Sequence, residues 1–248
     1  MAILLLVSLP HPLRSQTAKA QGTVRIQNVE TFFSRVISLK TDPERREFET
    51  KEEFEKRLSK TVDTSIVYYI PLGTAGLISK SYTYDLESQV LEFHGGGNPD
   101  RRPTDYRGIE GDPILVRNVI ENRGSYKGSN AYGASVTVKE VWSHDYVLNV
   151  NGLRSLPDSI YDYGTHTMKL ALHRPPKEAE RLSKTIKLAV GVKLWSANNS
   201  AMECVDVLRP KFDNPIDAGF FVHWVDARFV DIVLYDPLTK RVVTRFTP

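Results

Sequence analysis

Residues 186–195 alternate without a break. Ile186, Leu188, Val190, Val192 and Leu194 are apolar, and Lys187, Ala189, Gly191, Lys193 and Trp195 stand between them. Successive side chains of a strand point to opposite faces, so this period of two predicts a β-strand with one buried face and one wetter face. As a helix the same residues would scatter their apolar positions around the whole circumference. A strand of this kind needs partners, and the rest of the chain offers them.

Residues 65–70 are β-branched and aromatic, which predicts a strand. Residues 82–84 and 90–93 flank a polar stretch at 85–89 and read as a hairpin. Residues 114–119 read as another strand. Residues 135–138 and 147–150 flank Ser143, His144 and Asp145, which predicts a turn there. Residues 229–235 turn at 236–240 and return through 242–246. Gly, Pro, Asp and Arg crowd residues 95–107, which predicts a loop.

Helices are few and short. Val29, Phe32, Phe33, Val36 and Ile37 recur at helical spacing, with Asn28 placed to cap. Thr50 and Glu53 make a capping box, followed by Phe54 and Leu58. Pro175 and Pro176 open a third helix. The expected fold is therefore α+β. It is mostly antiparallel β-sheet, hairpin-built and sandwich-like, with short helices near residues 28–39, 51–60 and 176–184.

The N-terminus has a different logic. Residues 3–9 are an apolar run, broken by Pro10 and Pro12, and Ala18 and Ala20 sit where a signal peptidase reads small residues. The expectation is a signal peptide at 1–20, cleavage before Gln21, and a single β-rich domain at 21–248. The apolar run is too short for a membrane span. The expected location is periplasmic or otherwise extracytoplasmic.

Charge argues against nucleic acid. The formal charge of +3 falls to +1 without Arg14 and Lys19, leaving 31 basic against 30 acidic residues. The basic pairs at 45–46 and 101–102 are flanked by acids, so no concentrated positive surface is expected. Cys204 is the sole cysteine, so no internal disulfide is expected, and beside an apolar neighbour it reads as a small buried core residue.

Motifs for catalysis are absent. His94, His144, His166, His173 and His223 form no H-x-x-x-H, H-E-x-x-H or H-x-H pair, and no cysteine-rich spacing exists, so neither a metal nor another cofactor is expected. There is no nucleophile elbow and no phosphate loop. Glu110 and Asp112 are spaced as paired carboxylates or a cation ligand set, but a turn before residues 114–119 explains the same residues without chemistry and is the preferred reading. His94, beside three glycines, is the histidine best placed to meet a ligand.

Two segments carry a resemblance. Residues 48–57, FETKEEFEKR, resemble the F-E-T-x-x-E-[FY]-x-x-R opening of a group of exported bacterial proteins of unknown activity. Residues 124–133, GSYKGSNAYG, are similar to the G-x-Y-x-G-x-N-A-[FY]-G stretch of the same group. The agreement in order runs over about residues 45–245, but it is specific only at these two motifs. It implies export and a β-rich fold, and it transfers no activity, cofactor or site residue. Read physically, the three glycines of the second motif call for positive φ or a bulge. The expected function is a non-enzymatic envelope module that binds a protein, the cell wall or a small molecule. The alternative is an extracytoplasmic hydrolase whose site, near His94, Glu110 and Asp112, assembles only in the fold.

Overall fold

The computed structural model describes residues 22–39, 47–58, 63–73, 81–97, 111–129, 133–194 and 201–248, with the backbone alone at 55–58 and 201–205. The expected leader at 1–20 lies outside them. The three expected helices form. In α1 (Val29–Ser38) the Asn28 side chain accepts from the Thr31 amide at 2.9 Å, and Val29, Phe32, Phe33 and Val36 are buried. In α2 (Lys51–Leu58) the capping box closes both ways. Glu53 accepts from the Thr50 amide at 2.9 Å, and the Glu53 amide donates to the Thr50 hydroxyl at 3.2 Å. Bonds from the Thr50 amide and hydroxyl hold the Glu53 carboxyl below its usual range. α3 (Pro176–Thr185) starts on proline, whose missing N–H costs nothing in a first turn.

The rest is mostly β, in antiparallel sheets. The larger sheet runs β1 (Tyr68–Leu72), β8 (Lys187–Leu194), β10 (Ile216–Tyr235), β5 (Ser135–Asn151), β4 (Asp112–Ser129). β9 (Ala201–Leu208) and β11 (Val242–Phe246) also pair with β10. β8 and β9 lie end to end along one edge of β10, against its residues 227–235 and 218–224 respectively. The smaller sheet runs β2 (Tyr82–Asp85), β3 (Val90–Gly96), β7 (Thr167–His173), β6 (Tyr161–Asp162). Among the described strands, β5 pairs with β10 in parallel, from Lys139 opposite Ile216 to Asn151 opposite Arg228. The main core takes side chains from both sheets and from α1 and α3, including Phe33, Ile70, Phe93, Ile114, Leu148, Leu182, Val190 and Ile232.

Several expectations need correction. The turn at Ser143, His144 and Asp145 does not exist. β5 runs straight through it, because β4 and β10 satisfy its backbone on both sides and Asn118 meets both Ser143 and Asp145. Gly95 and Gly96 belong to β3 rather than to a loop. A Cβ on Gly95 would stand 2.6 Å from Leu72 Cβ, so its bare backbone lets β3 approach β1. The remainder of the expected loop, from residue 98, lies outside the described residues. Asp112 is the first residue of β4, paired with Val150, rather than part of a turn; Glu110 lies outside the described residues.

The expected strand at 65–70 is shifted to Tyr68–Leu72, since Asp63 accepts from the Ser65 amide at 2.8 Å and turns the chain first. Pro71 is tolerated because β1 is an edge strand. The strand at 186–195 forms as β8, and Ile186, Leu188, Val190, Val192 and Leu194 are all buried. Its other face is not wet throughout. Ala189 is fully buried, in a second small core with Val24, Val233, Tyr235 and Val242. Residues 22–27 supply that cover, with Thr23 bridging to Arg241 and Ile26 to Tyr69. Trp195 lies outside the described residues.

Two of the second motif's three glycines behave as expected, while Gly128 pairs regularly with Val136. Gly124 has φ 112° next to a bulge in the β4–β5 ladder, and Gly133 has φ 78°. Tyr126 donates to Asp217 at 3.2 Å, and Tyr132 lies outside the described residues. Cys204 pairs through its backbone with Phe221; the expectation of a core thiol concerns a side chain outside the description.

Candidate functional site

A cleft of about 1010 Å³ opens where β1, β2, β3, β4 and β8 meet. Leu72, Phe93, Val116 and Leu188 give it an apolar floor, while Thr83, His94, Arg117 and Lys187 bring polar groups to it. The β2–β3 hairpin positions two of these. His94 Nε2 lies 3.1 Å from Thr83 Oγ1 and 3.4 Å from Glu92 Oε1. Burial lowers the His94 pKa, Glu92 opposes that, and Lys169 adds to it. Arg117 pairs with Glu30 of α1 at 2.9 Å, both side chains being nearly half exposed.

His94 lines the cleft from strand β3. Asp112 is not among the described residues that line it, and its carboxylate faces Arg154 at 3.8 Å instead. The Thr83–His94 contact has a hydroxyl against an imidazole, but the carboxylate approaches the same ring nitrogen as the hydroxyl. In a catalytic triad the acid orients the base from its other nitrogen. This arrangement leaves Nε2 shared between Thr83 and Glu92, and it holds the ring rather than activating the hydroxyl.

A second feature was invisible in the sequence. On one face of the larger sheet, five flat rings from β5 and β10 stack in a row. Trp142 and Phe221 have centroids 4.8 Å apart, Phe221 and His144 5.1 Å, His144 and His223 5.2 Å, and His223 and Tyr146 4.4 Å. Parallel register sets this up by placing His144 opposite Phe221 and Tyr146 opposite His223. Phe33 of α1 packs on Tyr146, and the Arg123 guanidinium covers Trp142 at 3.5 Å.

Within the row, His144 Nδ1 and His223 Nε2 lie 3.0 Å apart. Burial, and then the neighbouring His144, push the His223 pKa down to about 4. The two histidines are 79 residues apart, a separation no local motif encodes. Aromatic or histidine residues at 142, 144 and 146 and at 221 and 223 were the available signal, obscured by reading residues 143–145 as a turn.

The opposite face of the same strands holds a buried polar group. Asp226 Oδ1 accepts from Asn149 at 2.7 Å and from the Trp224 indole at 3.1 Å. The first bond ties β5 to β10, and the second lies within β10.

Comparison with protein-family models, with curated proteins and with solved structures finds no match to this chain. The resemblance therefore rests on its two motifs, and function has to be argued from the cleft and the ring row.

Proposed function

We propose that the chain is an exported, non-enzymatic binding protein that holds a small amphipathic ligand in the cleft, apolar body on the floor and anionic end toward Lys187 and Arg117. The observation that carries this reading is the lining. Four buried or nearly buried apolar side chains form the floor, and Lys187, Arg117 and His94 stand at the polar side. No Asp or Glu is among the described lining residues. Ligand sites of this kind join a predominantly apolar surface to a few placed polar groups.

Export before Gln21 is part of the same proposal. Its support is the Ala18–Ala20 spacing, with Gly22, just past the expected cleavage point, accepting from the Val242 amide. The finer architecture, one sandwich-like α+β domain over 21–248, is supported by a main core that draws on both sheets. No described helix is long and apolar enough to cross a membrane.

Laurate and dodecanol, which share a chain and differ in charge, test the binding reading by displacement of a fluorescent fatty-acid probe. Laurate is expected to bind saturably. Lys187→Glu should weaken laurate about three- to tenfold, the scale of a surface charge reversal, and leave dodecanol unchanged. Absence of saturable binding, or equal weakening of both ligands, would overturn the assignment.

A further inference from the structure

We propose that His144 and His223 form an open site for a divalent transition metal, with their facing ring nitrogens as the two protein ligands and water completing the shell. The argument starts from the 3.0 Å between His144 Nδ1 and His223 Nε2. Metal–imidazole bonds are about 2.0–2.1 Å long, so two neighbouring ligands on one ion stand about 2.9–3.4 Å apart between square-planar and tetrahedral angles. The observed spacing falls within that interval without movement of either strand.

The rings are also held in place. His144 stacks on Phe221 at 16° and His223 on Tyr146 at 12°, so each imidazole has an aromatic neighbour on the adjacent strand. Residues 139–151 and 216–228 are joined in continuous parallel register, which fixes the backbone beneath both. Little side-chain freedom remains to be lost when an ion binds.

The outer nitrogen of His144 supplies a second observation. Glu121 Oε2 lies 3.9 Å from His144 Nε2, with Arg123 on the same carboxylate oxygen at 3.2 Å. A carboxylate beside the outer nitrogen of a metal-binding histidine favours the proton there and leaves the inner lone pair for the ion. Donor and acceptor roles in the 3.0 Å contact follow the ring tautomers; when the ion binds, His144 carries its proton on Nε2 and His223 on Nδ1, so both inner lone pairs face the ion, both rings stay neutral and no net proton is released.

The site is reachable, since the His144 side chain is 20% exposed and Glu121 is 49% exposed. Among the described residues no group of three or more His, Cys, Asp or Glu converges, so the protein contributes two ligands and the ion exchanges readily. Nitrogen ligands favour Cu(II) over Zn(II), whereas Mg(II) keeps oxygen ligands.

Copper titration of the untagged protein tests this. Cu(II) is expected to bind one to one and to quench Trp142, which lies two rings away. Paramagnetic resonance at one equivalent should show coupling to two imidazole nitrogens, and Zn(II) but not Mg(II) should compete. His144→Gln and His223→Gln should each weaken Cu(II) by at least about tenfold, while Glu121→Gln loses less and His94→Gln nothing. His144 is partly exposed, so its variant remains interpretable if the His223 variant is poorly folded. Coupling to fewer than two nitrogens, or unchanged affinity in His144→Gln, would overturn the proposal. Loss of laurate binding has no bearing on it, because the cleft and the ring row are lined by different residues.

Discussion

His223 shows how far a residue's behaviour departs from its sequence context. It stands between Val222 and Trp224 on a strand, and its identity alone suggests an ordinary histidine. In the fold it is 7% exposed and faces His144, so its neutral form is favoured and its pKa drops from 6.5 to about 4. The sign of the linkage follows. The unfolded chain binds the proton near pH 6.5 and the folded chain near 4, so stability is full above 6.5 and is lost as pH falls toward 4. At about 1.4 kcal/mol per unit, the displacement is worth on the order of 3 kcal/mol. The wild-type melting temperature should therefore fall between pH 7 and pH 4.5 more steeply than that of His223→Gln, when each variant is compared with itself. Parallel pH profiles for the two proteins would remove His223 as a source of acid sensitivity. At this scale local motifs were legible, as the caps at Asn28 and Thr50 show. The pair at 144 and 223 was not, because only strand register brings it together.

At the scale of elements, the period-two pattern in β8 identified the buried face, and the structure agrees at all five apolar positions. The pattern said nothing of what covers Ala189. The answer came from residues 22–27, more than 160 positions away, and no local pattern encodes that packing. β5 was broken in two for a related reason. A Ser-His-Asp segment favours a turn in isolation, but here the strands on either side satisfy its backbone, and tertiary pairing overrides propensity. The strand orientation itself can be tested. Val190 is fully buried between Ile70 and Ile232, and Val190→Asp loses roughly 1.5–3 kcal/mol of burial while placing a carboxylate in the core. Lys187 is exposed, so Lys187→Asp should stay within about 0.5 kcal/mol of wild type. Thermal melts should show a large drop for the first variant and almost none for the second. Similar melting temperatures would mean that β8 faces the other way.

For the whole molecule, the hairpins at 82–93 and 229–246 and the short helices were legible because each is a local pattern of period or cap. The division into two sheets was not, and neither was the parallel junction of β5 and β10, because residues 139–151 and 216–228 carry no signal that they meet. What joins these parts is the main core. Leu91, Phe93, Met168 and Leu170 of the smaller sheet pack in the same cluster as Ile70, Leu148, Val190 and Ile232 of the larger. α1 and α3 contribute Phe33 and Leu182 to that cluster, so neither sheet closes an apolar face by itself. Separating the sheets would expose both faces to water at about 25 cal/mol per Å², and each sheet alone would be left with little to offset its chain entropy. Protein starting at Gln21 should accordingly unfold in one cooperative step. The loss of β-structure in far-ultraviolet dichroism and the loss of aromatic packing in the near-ultraviolet should share one midpoint. Two resolved midpoints, with the near-ultraviolet signal of the ring row surviving the first, would show that the larger sheet stands without the smaller one.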